Sequence, residues 1–186
     1  SSIGDVAISS IGNFTIVDSK RGRIFTYDIE GNLLYIAGDQ PGGTGNAGTG
    51  GLSNSIVNPV AIGYLYRETE EVQEELLLVL DNISSSIIVY ETTEFGETVN
   101  TATYLYQNGM IEEAEQYWRK ASKMNTNYEL AYLGIGKALN RRGEYKEAME
   151  YFKLAHNATY YSKAYMECVE EGYSFIIRDE DSKVYD

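Results

Sequence analysis

The sequence predicts an α+β protein with its strands gathered in the N-terminal half and its helices in the C-terminal half. Two observations carry this. Up to about residue 92, short runs of β-branched and aromatic residues alternate with turn-forming clusters. From about residue 93, apolar positions recur at helical spacing, Ala, Glu, Leu and Lys become abundant, and Pro disappears. Each half also repeats internally, which points to an array of small units.

In chain order, "NFTIVDS" (13–19), "RIFTYDI" (23–29) and "NLLYIAG" (32–38) read as strands, with "EGN" (30–32) as the hairpin turn between the last two. A second set follows in "PVAIGYLY" (59–66), "ELLLVLD" (75–81) and "SIIVYE" (86–91). The stretch 17–28 aligns without gaps on 80–91, matching Asp18 with Asp81, Ile24 with Ile87 and Tyr27 with Tyr90, and "VAIS" (6–9) answers "VAIG" (60–63). Four antiparallel strands per unit make the blade of a β-propeller. The second unit lacks its fourth strand, because the helical pattern begins where that strand should be, and it carries an acidic insertion, "RETEEVQEE" (67–75). Ile16, Ile24 and Leu34 are expected to be buried between sheets. Thr93 is the expected cap of the first helix.

"GNFTIVDSKRGRIFTYDIEGNLLYIAG" resembles a blade of the NHL-type propeller, and the resemblance covers residues 4–38 well and 58–91 in part. The helical half carries a 34-residue period: Gly109 and Gly143, Ala114 and Ala148, Trp118 and Phe152, Ala121 and Ala155. That spacing resembles tetratricopeptide repeats, with Tyr132, Ile135, Gly136 and Leu139 in the family's positions and Thr101 as a departure. "TNYE" (126–129) reads as a capping box of Thr126 and Glu129. A fifth helix, about 160–176, continues the register through Met166, Val169 and Tyr173 as a capping helix. The expected organisation is therefore propeller-type blades over 1–92, an incomplete set, then a tetratricopeptide array over 93–178 and an acidic tail over 179–186. The chain opens in mid-pattern without an initiator Met, and is read as an excerpt of a longer protein.

The formal net charge of −13 argues against a nucleic-acid partner. One Cys and one His leave little for a metal cluster or for His-based acid–base chemistry, and no cofactor or metal is expected. No apolar run is long enough for direct membrane insertion. "GTGNAG" (43–48) matches G-x-G-x-x-G after a strand, but "TGGLSNSIVNPVA" continues it without helical period, so it reads as the glycine-rich connection between blades.

Asp18 and Asp81, at the ends of equivalent strands, are weighed as ligands at a propeller mouth or as Asx-type turn acceptors, and the second role is favoured. The insertion acids Glu68, Glu70, Glu71, Glu74 and Glu75 are weighed as a cation or basic-partner site or as a solvated run, again favouring the second. Cys168 reads as an apolar filler. The tetratricopeptide resemblance implies a concave groove lined by the first helix of each repeat. Carried onto this chain, its positions are Val99, Thr103, Tyr106 and Gln107, then Leu133, Lys137, Asn140 and Arg141, then Glu167, Glu171 and Ser174. Tyr106, Lys137, Asn140, Arg141, Glu167 and Glu171 are the groove candidates; the first four are expected on one solvent-facing side, with Ile135, Gly136 and Leu139 buried. They would take a protein or peptide with an acidic or C-terminal carboxylate group. The competing reading pairs Lys137 and Arg141 with Glu167 and Glu171.

These features imply a non-catalytic protein- or peptide-binding scaffold, with possible self-association through exposed sheet edges. The resemblance places it in the extracytoplasmic part of a membrane-anchored bacterial protein. Two alternatives stay open: a fragment of a lactonase- or lyase-type propeller enzyme whose site lies in other blades, and a structural spacer.

Overall fold

A computed structural model describes residues 2–38, 56–68 and 73–172. The glycine-rich motif 43–48, Glu70, Glu71, Tyr173, Ser174 and the tail 179–186 lie outside the described residues. The fold is α+β. Strands β1 (Ile3–Ile8), β2 (Phe14–Asp18), β3 (Arg23–Tyr27) and β4 (Leu33–Ala37) form a four-stranded antiparallel sheet in chain order. Strands β5 (Pro59–Glu68), β6 (Gln73–Asp81) and β7 (Ser86–Tyr90) form a three-stranded one. Five helices follow: α1 (Glu94–Gln107), α2 (Ile111–Met124), α3 (Glu129–Arg141), α4 (Tyr145–Leu154) and α5 (Ala158–Glu170). Among the described residues the two sheets do not close into a barrel or propeller, and no helix precedes α1.

The internal repeat is visible in the register. Val17 pairs with Ile24 and Asp18 with Arg23 in the first sheet, and Leu80 with Ile87 and Asp81 with Ser86 in the second. The two sheets face each other across Val17, Ile24, Ile56, Val79 and Tyr90, with Ile62, Leu77 and Ile88 packed alongside. Thr15 Oγ1 hydrogen-bonds Tyr64 Oη at 2.6 Å, and Asp5 Oδ2 accepts the Ile62 amide at 3.0 Å. Ile24 is buried there as expected, but Ile16 and Leu34 are not. Ile16 is half-buried on the opposite face of its sheet, paired with Phe25, and Leu34 belongs to the helical core. The acidic insertion is strand over most of its length. Glu68 pairs with Gln73 across the ladder, Arg67 forms an ion pair with Glu74, and Glu75 accepts the Ser10 amide at 2.7 Å.

Asp18 and Asp81 act as turn acceptors. Asp18 Oδ1 takes the Lys20 and Arg21 amides at 3.1 and 3.2 Å. Asp81 is sealed from solvent and takes four amides, Oδ2 from Val57 (2.6 Å) and Asn58 (3.0 Å), Oδ1 from Ile83 and Ser84 (3.0 Å each). Burial alone would push the Asp81 carboxyl up, but the amides of Ser84, Asn58 and Val57 outweigh it and hold it below its ordinary 3.8.

The helical half pairs α1 with α2 and α3 with α4. Gly109 and Gly143, both at φ +79°, end the first helix of each pair in the left-handed region where a side chain is strained. Thr93 caps α1 by accepting the Gly96 amide at 3.2 Å. The capping box is not formed. Tyr128, without a side-chain cap bond, precedes α3, because the Asn125 side chain takes the Asn127 amide at 3.0 Å and turns the chain before Thr126 can cap. Helix α5 starts earlier than expected, capped by Asn157, and buries Ala164 and Cys168 while Met166 and Val169 are exposed. Glu115, which the sequence reading passed over, ties α2 to the end of α3. It accepts Arg119 Nε at 2.7 Å and forms an ion pair with Arg142. Trp118 and Phe152 lie over Gly134 and Gly136, where the helices touch.

Two outcomes follow for denaturation experiments. A Cβ on Gly136 would stand 2.6 Å from the Phe152 ring. Gly136→Ala should therefore lose about 1–3 kcal/mol to overpacking, more than the ~1 kcal/mol it gains in helix propensity. Asp81→Asn should cost about 3 kcal/mol at neutral pH, because an amide NH2 then faces two buried donors. The folded Asp81 carboxyl titrates low, so its contribution is complete above the ordinary carboxylate range and is lost as pH falls through the folded value. The substitution should flatten that acid limb of a stability-versus-pH curve.

Candidate functional site

The candidate site is where α1, α3 and α5 meet around Lys137, and residues of the first sheet and its β3–β4 turn pack against it. Strand β4 carries a bulge: Tyr35 pairs with Thr26 and Leu33 with Tyr27, so Leu34 lies between them outside the ladder. A bulged residue is re-aimed. Leu34 turns into the helices, is 1% exposed, and packs in one cluster with Val99, Ala102, Ala131 and Ile135. Its carbonyl accepts the Tyr128 hydroxyl at 2.9 Å. Tyr35 donates its hydroxyl to Asn100 Oδ1 at 3.2 Å, and Asn13 Nδ2 donates to the same oxygen at 3.1 Å.

The second contact is ionic. Lys137 Nζ lies 4.8 Å from the ring centres of both Tyr106 on α1 and Tyr160 on α5, and 3.5 Å from Glu30 Oε2 in the β3–β4 turn. The turn is itself braced by Asp28, whose Oδ1 takes the Glu30 and Asn32 amides at 2.9 and 2.8 Å. The Lys137 side chain is only 12% exposed. Burial alone would pull its ammonium pKa down, but the Tyr106 and Tyr160 hydroxyls and Glu30 outweigh it and hold it above the ordinary value. One cation thus joins three helices and the sheet.

Several groove candidates are corrected. Val99 and Thr103 are buried, and Thr103 spends its hydroxyl on the Val99 carbonyl at 2.8 Å. Lys137 is enclosed instead of presented to solvent, because the aromatic pair and Glu30 cover it. Neither Lys137 nor Arg141 pairs with Glu167 or Glu171 among the described residues. Asn140 Nδ2 donates to Glu167 Oε2 at 2.5 Å, Lys163 lies 3.8 Å from Glu167, and Glu171 accepts the Tyr145 hydroxyl at 2.6 Å. Tyr106 is half-buried and Arg141 is exposed. Beyond Lys137 the groove end keeps two buried polar atoms, Gln107 Nε2 and Asn140 Oδ1, with no partner among the described residues. A separate surface depression of about 290 Å³ is lined by Gly143, Glu144, Tyr145, Lys146, Glu147 and Cys168.

Leu34, Glu30 and Tyr160 were missed as groove residues. Leu34 and Glu30 come from the strand half, where periodicity marks them only as strand and turn, and Tyr160 lies about two turns before Glu167, the first position carried over for α5. No group of three or more His, Cys, Asp or Glu able to hold a metal occurs among the described residues, and none of their helices is long and apolar enough to cross a membrane. Neither protein-family models nor curated proteins match the chain.

Lys137→Met keeps the side-chain stem and removes the charge. It should cost about 1–2 kcal/mol through the lost cation–π contacts, and chemical denaturation should report that loss for sheet and helices in a single transition.

Proposed function

We propose that the chain is a non-catalytic scaffold whose helical groove is closed in cis by its own β4 edge, giving a rigid joint between sheets and helical array. The observation that carries this is Leu34, a strand residue buried among the groove helices with its backbone carbonyl bound to Tyr128. The groove takes an extended segment, and its cation takes a carboxylate, which is the ligand chemistry of a peptide-binding array, here met by Glu30. The finer reading is that the sheets are successive NHL-like blades and α1–α4 two tetratricopeptide repeats, in the extracytoplasmic part of a membrane-anchored protein. The shared register of Asp18 and Asp81 and the 34-residue period support it. A peptide partner in this reading meets the groove only at its outer end, where Gln107, Asn140 and Arg141 lie, or after β4 is displaced.

The test is competition for the groove. A synthetic peptide IEGNLLYIAG, copying residues 29–38, should not bind the native chain but should bind a Glu30→Ala, Leu34→Ala variant in a fluorescence titration. Equal binding to both, or to neither, rules out the closed groove.

A further inference from the structure

Asn108 is the one Asn in the sequence that Gly follows. It is exposed at the C-terminal end of α1, and the space beside the Gly109 Cα is open to 4 Å, so water and base reach both residues. An Asn side chain is chemically labile where the next amide nitrogen is unhindered, and Gly, with no Cβ, hinders it least.

The turn itself keeps the two groups apart. Gly109, at φ +79°, donates its amide to the Tyr106 carbonyl at 3.0 Å, and Met110 donates to Leu105 at 2.9 Å, a pair of bonds that closes α1. The Asn108 side chain is committed as well, its Nδ2 donating to the Tyr104 carbonyl at 2.8 Å. The turn after α3 has the same backbone: Gly143 at φ +79° donates to Asn140 at 3.1 Å, and Glu144 to Leu139 at 3.0 Å. There Arg142 stands in the place of Asn108, with no side-chain amide to react. Of two equivalent turns, only the first carries the reactive pair.

We propose that Asn108–Gly109 is a spontaneous modification site, held off by the α1 cap and converted when that cap opens. In the open turn the Gly109 nitrogen loses its proton to base and attacks Asn108 Cγ. The N–Cγ bond closes a cyclic imide, the Cγ–Nδ2 bond breaks, and ammonia leaves after taking a proton from water. A water molecule then opens the imide at either carbonyl. It leaves Asp at 108 or an isoaspartyl link, in which the main chain runs through the side chain. With the cap closed, the Gly109 proton is bound to Tyr106 and the Asn108 side chain is turned to Tyr104, so the ring does not form.

The product does not restore the cap. A carboxylate at 108 has no proton for the Tyr104 carbonyl, and it adds negative charge at the negative end of α1, whose last turn holds no basic residue. The isoaspartyl link also lengthens the main chain inside a turn that joins two packed helices. Conversion is therefore one-way, and it loosens the end of α1 that carries Tyr106. This holds whatever the helical groove binds.

Peptide mapping by mass spectrometry tests this on the whole chain, with samples held folded and in urea. Residue 108 should gain the mass difference between an amide and an acid, faster as pH rises from neutral to alkaline. Three hydrogen bonds of ordinary net strength hold the cap, so the folded chain should convert roughly tenfold or more slowly than the unfolded one. Asn108→Asp, made directly, should unfold at a lower urea concentration than the native chain. Equal rates in the folded and unfolded chains overturn the proposal, because the cap then holds nothing off. So does an Asn108 that stays intact in urea at alkaline pH, a rate indifferent to pH, or an Asn108→Asp chain as stable as the native one.

Discussion

Strand β4 has one residue more than the ladder can pair, and the consequence is the joint between the two halves. Leu34, left out of the register between Leu33 and Tyr35, buries its side chain among the helices and accepts the Tyr128 hydroxyl at its carbonyl. An apolar side chain and a backbone carbonyl at a sheet edge need cover, since exposure of the first forgoes about 1.5–3 kcal/mol and burial of the second without a donor costs about as much. The helical groove supplies both, Val99 and Ile135 for the side chain and Tyr128 for the carbonyl. The position of Glu30 follows, because the turn that leads into β4 is held by Asp28 and arrives beside Lys137.

The ionic part of the joint is modest on its own, and its setting makes it effective. A surface ion pair is worth about 1 kcal/mol or less. Lys137 has two aromatic faces and little water, and Glu30 is tethered to it through the same chain. Tethering raises the effective concentration of the carboxylate to roughly the millimolar range for a short flexible link, before Leu34 adds its own burial. A free peptide that offers only a carboxylate competes poorly against that arrangement. Occupancy of the groove is thus set by chain connectivity more than by the chemistry of its lining.

Much of the fold was legible in the sequence because its signals are periodic. The positions of β2, β3 and β4, the two helical hairpins with Gly109 and Gly143, the Thr93 cap and the turn role of Asp81 all came from spacing and turn chemistry. The failures share a cause. Thr126 lost its capping role to the neighbouring Asn125 turn, Met166 and Val169 proved to face solvent, and the strands ran on into the acidic insertion because Arg67 and Glu74 pair across the ladder. In each, a local competition or a tertiary neighbour decided between readings of equal local merit. The groove was the largest miss. Lys137 was expected in solvent and is instead enclosed, and nothing in the helical half states that residues 30 and 34 will meet it.

The divergence between the two sheets records where each face lies. Thr15 and Thr26 are sealed between sheets, where their hydroxyls satisfy each other and Tyr64. A hydroxyl pair is tolerable there because the facing sheet provides the third partner, and without it burial of each group would cost about 1–3 kcal/mol. The equivalent Leu78 and Val89 lie on the face turned away from the first sheet, where the described residues place no Tyr64-like hydroxyl, and an apolar pair there needs none. The register is common to both sheets, so this choice of residue is independent of strand geometry and follows whether a hydroxyl partner such as Tyr64 stands opposite.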